Sequence, residues 1–203
     1  MAEEKITIYP NINDALKSVE GFEEELNNHY FVCLCVAEDT DDNFTDECRC
    51  KTINWYKEKI QKHIESLQNP FRDSGFDLVI PYVTQEFNMA SRDKKIVSTR
   101  VSCAVYKLEN NLFLPSPYYM YARSSIYKTP FMLANGVGII DSGYRGNLGI
   151  ALYNHTQACE EIKSGTRLTQ ICMPDLSTNF HVLLVNKLDN TYRGQGGFGS
   201  TGY

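Results

Sequence analysis

Five short polar or Gly-bearing blocks stand out in this 203-residue chain, and the side chains of the last suit a phosphorylated aromatic molecule. The last eleven residues, Arg193 to Tyr203, contain an arginine, five glycines, Phe198 and the pair Ser200-Thr201. An arginine fork matches phosphate oxygens. Closely spaced glycines let backbone N–H groups converge on an anion. A phenylalanine face stacks on a base. Such a stretch cannot build a core, and ordering it costs about 1–2 kcal/mol per residue, so it is expected to be a loose arm until a ligand holds it. The other blocks are Asp73-Ser74-Gly75-Phe76-Asp77-Leu78, Ala122-Arg123-Ser124-Ser125, the run Asn135 to Gly146, and Gly165-Thr166-Arg167-Leu168-Thr169-Gln170. The run from Gly138 to Tyr144 reads as a hairpin: apolar strand, polar Gly turn, aromatic return. Each block alone reads more readily as an ordinary turn or loop than as a site.

The elements that must position these blocks differ along the chain. Before residue 71 there are two stretches with helical spacing. Ala15, Leu16, Val19, Phe22 and Leu26 predict a helix over 13–27, and Ile53, Tyr56, Ile60, Ile64 and Leu67 predict a second that closes before Pro70. Between them Tyr30 to Val36 reads as a strand, followed by an acidic loop from Glu38 to Glu47. From Phe71 onward short apolar or alternating runs recur: 76–80, 95–106, 113–114, 138–140, 148–153, 167–173 and 181–187. Turn residues separate them, and no second helix-rich block follows. The class is mainly β, a sandwich, jelly roll or barrel, with an α-containing N-terminal portion. The division expected is 1–70 as an extension with an insertion, 71–192 as a β domain, and 193–203 as the arm.

Composition bounds the function. The length suits one domain with an extension. A formal net charge of -5 argues against a nucleic-acid groove binder but not against a small anionic substrate, which needs only a few local cations. No apolar run is long enough to span a bilayer, and the start lacks the regions of a signal peptide, so a soluble intracellular protein is expected. Seven cysteines suit free thiols in a reducing compartment. Cys33 and Cys35, with Cys48 and Cys50, form two C-x-C pairs. Either they hold zinc as four thiolates or, being two apart in a strand, they pack inward.

Taken together and in this order, the five blocks resemble the homotrimeric dUTP pyrophosphatase (dUTPase) family. Ile140-Asp141-Ser142-Gly143-Tyr144-Arg145-Gly146 and the terminal Arg193-to-Gly202 run carry the resemblance most specifically. The resemblance implies a distorted jelly-roll subunit, a three-fold trimer with active sites at subunit interfaces, and an arm that closes over a site made by neighbouring chains. It implies hydrolysis of dUTP to dUMP and pyrophosphate with Mg²⁺ held mainly by the triphosphate, lowering dUTP and supplying dUMP for thymidylate synthesis.

The resemblance also gives roles. Asp141 is similar to the aspartate that activates the attacking water. Tyr144 resembles the tyrosine packed on the deoxyribose, and Gly138 and Ile140 the uracil-pocket backbone. Asn135 resembles a uracil-contacting asparagine. Ser124 is similar to the serine that donates to the α,β-bridging oxygen, flanked by Arg123 and Ser125, and Gln170 to the phosphate-facing glutamine. Arg193 would grip the γ-phosphate and Phe198 would cover uracil. Gly199, Ser200 and Thr201 would wrap the terminal phosphate. Asp77 would reach the metal through water. The segment 37–69 would be an insertion without identified chemistry. The alternative functions are a dUTP-gated interaction trimer that uses the extension and a deaminase of dCTP, which shares the fold.

Overall fold

The structure, a computed structural model, describes residues 6–21 and 24–197. Within them the chain runs β1 (Ile8–Tyr9), α1 (Ile12–Lys17), β2 (Tyr30–Val36), α2 (Asp46–Ser66), β3 (Gly75–Leu78), β4 (Phe87–Met89), β5 (Lys94–Ser98), β6 (Val101–Glu109) and β7 (Leu112–Ser116). It continues through β8 (Tyr118–Ala122), a 3₁₀ turn (Ser124–Lys128), β9 (Phe131–Leu133), β10 (Gly138–Ile140), β11 (Gly149–Asn154), β12 (Glu160–Ile162), β13 (Thr169–Cys172) and β14 (Phe180–Val185). The mainly β class with an α-containing N-terminal portion is as expected.

Four sheets surround the main apolar core. The largest has the order β1-β14-β2-β6-β7, and the second, which carries the candidate site, has the order β10-β8-β13-β3. The sheets β5-β11-β9 and β12-β4 complete the walls. The strand read as 95–106 breaks in two between Ser98 and Val101, where Arg100 adopts φ 55 and the chain passes from the β5-β11-β9 sheet to the largest sheet. The hairpin expected around Asp141 does not form: β10 pairs with β8, whereas Tyr144 bridges to Gly194.

The strand β2 explains the position of the N-terminal part. All seven of its residues are buried. Tyr30, Val32, Leu34 and Val36 enter the main core. Phe31, Cys33 and Cys35 face a second core capped by Ile12, Ala15 and Leu16 of α1. Both faces are covered, so the sequence is continuously apolar and does not alternate. Residue 70 is therefore no boundary of the core, since β2 lies inside the largest sheet. The expected helix over 13–27 is only six residues long, ending before Gly21 at φ 93.

The alternation along β2 also separates the two cysteine pairs. Cys33 and Cys35 point to the α1 side, Cys48 lies in the main core on α2, and Cys50 is exposed. Burial raises the pKa of the Cys33 and Cys35 thiols, against the thiolate that zinc requires. Among the described residues no three His, Cys, Asp or Glu side chains are grouped to hold a metal ion.

The helix α2 is built into the core. Thr45 caps it by accepting the N–H of Cys48, and Asp46 and Glu47 sit favourably in its first turn. Cys48, Thr52, Tyr56 and Ile60, four apart, form its buried face. The Tyr56 hydroxyl accepts the N–H of Val79 at 3.3 Å, and Thr52 Oγ1 accepts that of Tyr82 at 3.2 Å. These two bonds fix the segment that follows β3, where a sheet partner would otherwise be needed.

Candidate active site

One group of the expected residues gathers at β10. This strand is an edge of its sheet, so one row of its backbone N–H and C=O groups has no strand partner. A cavity of about 210 Å³ opens there, lined by Asn135, Gly138, Ile140, Asp141, Tyr144 and Arg193 among others. Gly138 packs closely on β8: a Cβ there would lie 3.2 Å from Met120 Cβ, tighter than ordinary contact. Asp141 begins a turn in which its carbonyl accepts the N–H of Tyr144 at 3.0 Å. The Tyr144 hydroxyl donates to Asn147 O at 3.0 Å, and its ring lies against Gly146 and Gly197. Burial raises the Tyr144 pKa, with the Arg193 charge acting the other way, so the phenol stays neutral at the cavity wall.

The start of the arm rests on this same cavity. Arg193 Nη2 lies 3.2 Å from Asp141 Oδ2. The N–H of Arg145 donates to Gly194 O at 2.8 Å. The Thr191 hydroxyl donates to Gly143 O and accepts the N–H of Gly194. Residues 193–197 rest against the turn at Asp141 of the same chain. The cause is local: the turn at Asp141 presents a carboxylate, a carbonyl and an N–H to the passing backbone. Phe198, Gly199, Ser200 and Thr201 lie outside the described residues.

A second group gathers at the junction of β3, β8 and β13. Gln170 sits between Asp77 on β3 and Tyr121 on β8 in the sheet register. Its side chain crosses the backbone of Gly75, where a Cβ would fall 2.3 Å from Gln170 Oε1. Arg123 Nε donates to Asp77 Oδ1 at 2.6 Å and its Nη1 to Ser125 Oγ at 3.1 Å. Ser124 is exposed at the start of the 3₁₀ turn. Asp77 is 5% exposed, and its Oδ2 accepts from Arg167 Nη1 at 2.9 Å and Lys59 Nζ at 3.1 Å.

Asp77 was expected to reach a metal through water. Its partners here are three cations, and a dication beside them meets like charge on every side. The residues at Asp77 do not fit that role.

The two groups do not meet within one chain. Ile140 pairs with Tyr118 at the start of β8, whereas Arg123 follows its other end. At about 3.3 Å per residue Tyr118 and Arg123 are about 16 Å apart.

Three residues that the sequence did not single out hold the site. Arg145 is nearly buried, donates to the carbonyls of Ser142 and Tyr144, and pairs with Asp189 at 2.9 Å. It fastens the turn that carries Asp141. Thr191 seats the arm, and Lys59 joins Asp77. Only Arg145 lies inside a block that could have signalled it.

Known proteins share this arrangement of sequence. The family model described as dUTPase matches residues 62–202. The deoxyuridine 5'-triphosphate nucleotidohydrolase of Solanum lycopersicum is 34% identical over 71% of this chain and 80% of its own length. That of Rattus norvegicus is 37% identical over 64% of this chain, which spans only 58% of the rat protein. Among solved structures, the dUTPase of Streptococcus mutans is similar at 21% identity and a TM-score of 0.42, over 51% of this chain and 79% of that one. With the match reaching from the end of α2 through every block described above, the chain belongs to the dUTPase family.

Proposed function

We propose that this chain hydrolyses dUTP to dUMP and pyrophosphate. The observation that carries the reading is the place of Asp141: an exposed carboxylate at the rim of a cavity walled by an edge-strand backbone and the Tyr144 ring. Family membership supplies the substrate class. The edge of β10 offers donors and acceptors to a uracil, and a base with the opposite pattern would leave a buried group unpaired. Tyr144 packs on the deoxyribose and closes the space that a 2′-hydroxyl needs.

The reaction needs a placed water and a neutralised polyphosphate. The water oxygen bonds to the α-phosphorus, and Asp141 accepts its proton. The bond from that phosphorus to the α,β-bridging oxygen breaks, and pyrophosphate leaves with the electron pair. The Ser124 hydroxyl donates to that oxygen, where charge develops. Arg123, Ser125 and Gln170 orient the phosphates, Arg193 holds the terminal one, and Phe198 to Thr201 close over the nucleotide. Magnesium enters as the counter-ion of the triphosphate, and no step is assigned to a protein-held ion.

Asp141 and Ser124 lie at opposite ends of β8, so a complete site takes them from different chains. A homotrimer with three sites at its interfaces meets that need.

Steady-state pyrophosphate release from dUTP, dCTP, dTTP and UTP, with and without Mg²⁺, tests the reading. Release from dUTP that is lost in Asp141→Asn supports it. Ammonia from dCTP refutes it, and dUTP binding without turnover in the wild type points to the interaction trimer instead.

A further inference from the structure

The helix α2 precedes all but the first residues of the family match, which begins at residue 62. One of its side chains nevertheless reaches the phosphate-facing group. Lys59 Nζ lies 3.1 Å from Asp77 Oδ2 and 5.9 Å from the Phe76 ring centroid. Its placement is fixed, because Tyr56 and Ile60 on either side are fully buried and Tyr56 is bonded to Val79, two residues beyond Asp77.

The charge balance of this cluster needs explaining. One carboxylate, buried to 7% side-chain exposure, faces Lys59, Arg123 and Arg167, whose side chains are 25%, 24% and 43% exposed. The four groups sum to +2. A single cation would compensate a buried carboxylate, whereas three drawn onto it repel one another. The arrangement is economical only when a polyanion shares the excess. The carboxylate lies inside and the cations reach outward, so the surplus faces solvent beside Ser124 and Gln170.

We propose that Lys59 is a positioning residue for the polyphosphate of the substrate, contributed by the N-terminal helix. It holds Asp77 Oδ2, which keeps Arg123 aimed through Oδ1, and it adds a positive charge to the surface that meets the phosphates. The inference rests on the function proposed above, and it extends that function to a part of the chain outside the family match.

The test uses the full-length chain and two readouts. In steady-state dUTP hydrolysis, Lys59→Met is expected to raise KM about tenfold while kcat changes less than about threefold, and Lys59→Arg to restore most of the loss. The rise in KM with salt should also be shallower in Lys59→Met than in the wild type. Calorimetric binding of inorganic tripolyphosphate reads the same cluster without turnover or uracil, and Lys59→Met should weaken it about tenfold. If Lys59→Met melts far below the wild type, Lys59→Gln replaces it, keeping a hydrogen-bonding group without the charge. An unchanged KM and unchanged tripolyphosphate affinity in these variants would overturn the inference, as would a wild type that does not bind tripolyphosphate. A wild type that binds tripolyphosphate in a Lys59-dependent way but does not hydrolyse dUTP would refute the proposed function and leave this inference standing.

Discussion

The guanidinium of Arg193 pairs with the carboxylate of Asp141 at 3.2 Å within one chain. The residue proposed to hold the terminal phosphate thus rests on the residue proposed to activate the water. Both side chains are substantially exposed, at 40% and 59%. Pairs of that kind are worth about 0–1 kcal/mol, so a triphosphate can take Arg193 at little cost and leave Asp141 to the water.

Asp141→Asn should therefore do two things. Turnover should fall by about 10²–10⁴-fold, the usual contribution of a placed general base. The arm should also loosen without nucleotide, because Arg193 loses its charged partner. Limited proteolysis checks the second effect: faster cleavage near Arg193 in the variant, reversed by a non-hydrolysable dUTP analogue. Unaltered cleavage would show that the pair does not hold the arm.

Gly146 is set by the tyrosine beside it. A Cβ there would lie 2.5 Å from Tyr144 Oη, so Gly146→Ala must push the ring out of place. The steric cost should be about 1–3 kcal/mol of stability. The proposed discrimination against a 2′-hydroxyl should fall with it, seen as a lower ratio of kcat/KM for dUTP over UTP. A variant that folds and keeps the wild-type ratio would remove Tyr144 from sugar recognition.

What the sequence made legible follows the range of each interaction. The strand at 30–36 and the one at 138–140 carry dense local signals and appear at those bounds. The strand Tyr118–Ala122 was not foreseen, because Tyr-Tyr-Met-Tyr-Ala neither alternates nor runs purely aliphatic, and a proline precedes it. The helix α2 starts at Asp46, earlier than its apolar periodicity suggests, since its first turn is acidic and continues the acidic run from Glu38. The residues of the β10 cavity were legible through local motifs. Lys59 and Thr191 were not, because each acts on a partner 18 or 48 positions away and no local pattern encodes that contact.

Of the arm, the described residues 193–197 lie outside both apolar clusters. Deleting residues 193–203 should abolish most turnover while shifting the melting temperature by only a few degrees. The assembly should remain the size of the intact protein in light scattering. A drop to single subunits would mean that the arm contributes to the interface.

Acid sensitivity should come partly from a histidine pair outside the cavity lining. His29 Nδ1 and His181 Nε2 lie 3.0 Å apart, so one ring must donate a proton and both cannot be charged. Phe31 stacks on His181 at 5.2 Å, and Arg72 and His63 add positive charge nearby, with Asp73 opposing it at His63. Burial first, then these neighbours, lowers the pKa of His181 to about 4, and burial also lowers that of His29. The unfolded chain, with His near 6.5, binds more protons than the folded one between those values. Stability therefore rises with pH from about 4 to 6.5 and levels above it, each such group contributing at most about 1.4 kcal/mol per pH unit. Melting temperatures across this range should fall less steeply toward acid in His181→Phe, which keeps the ring stack and removes the titration. Equal slopes in the two proteins would place the acid sensitivity elsewhere.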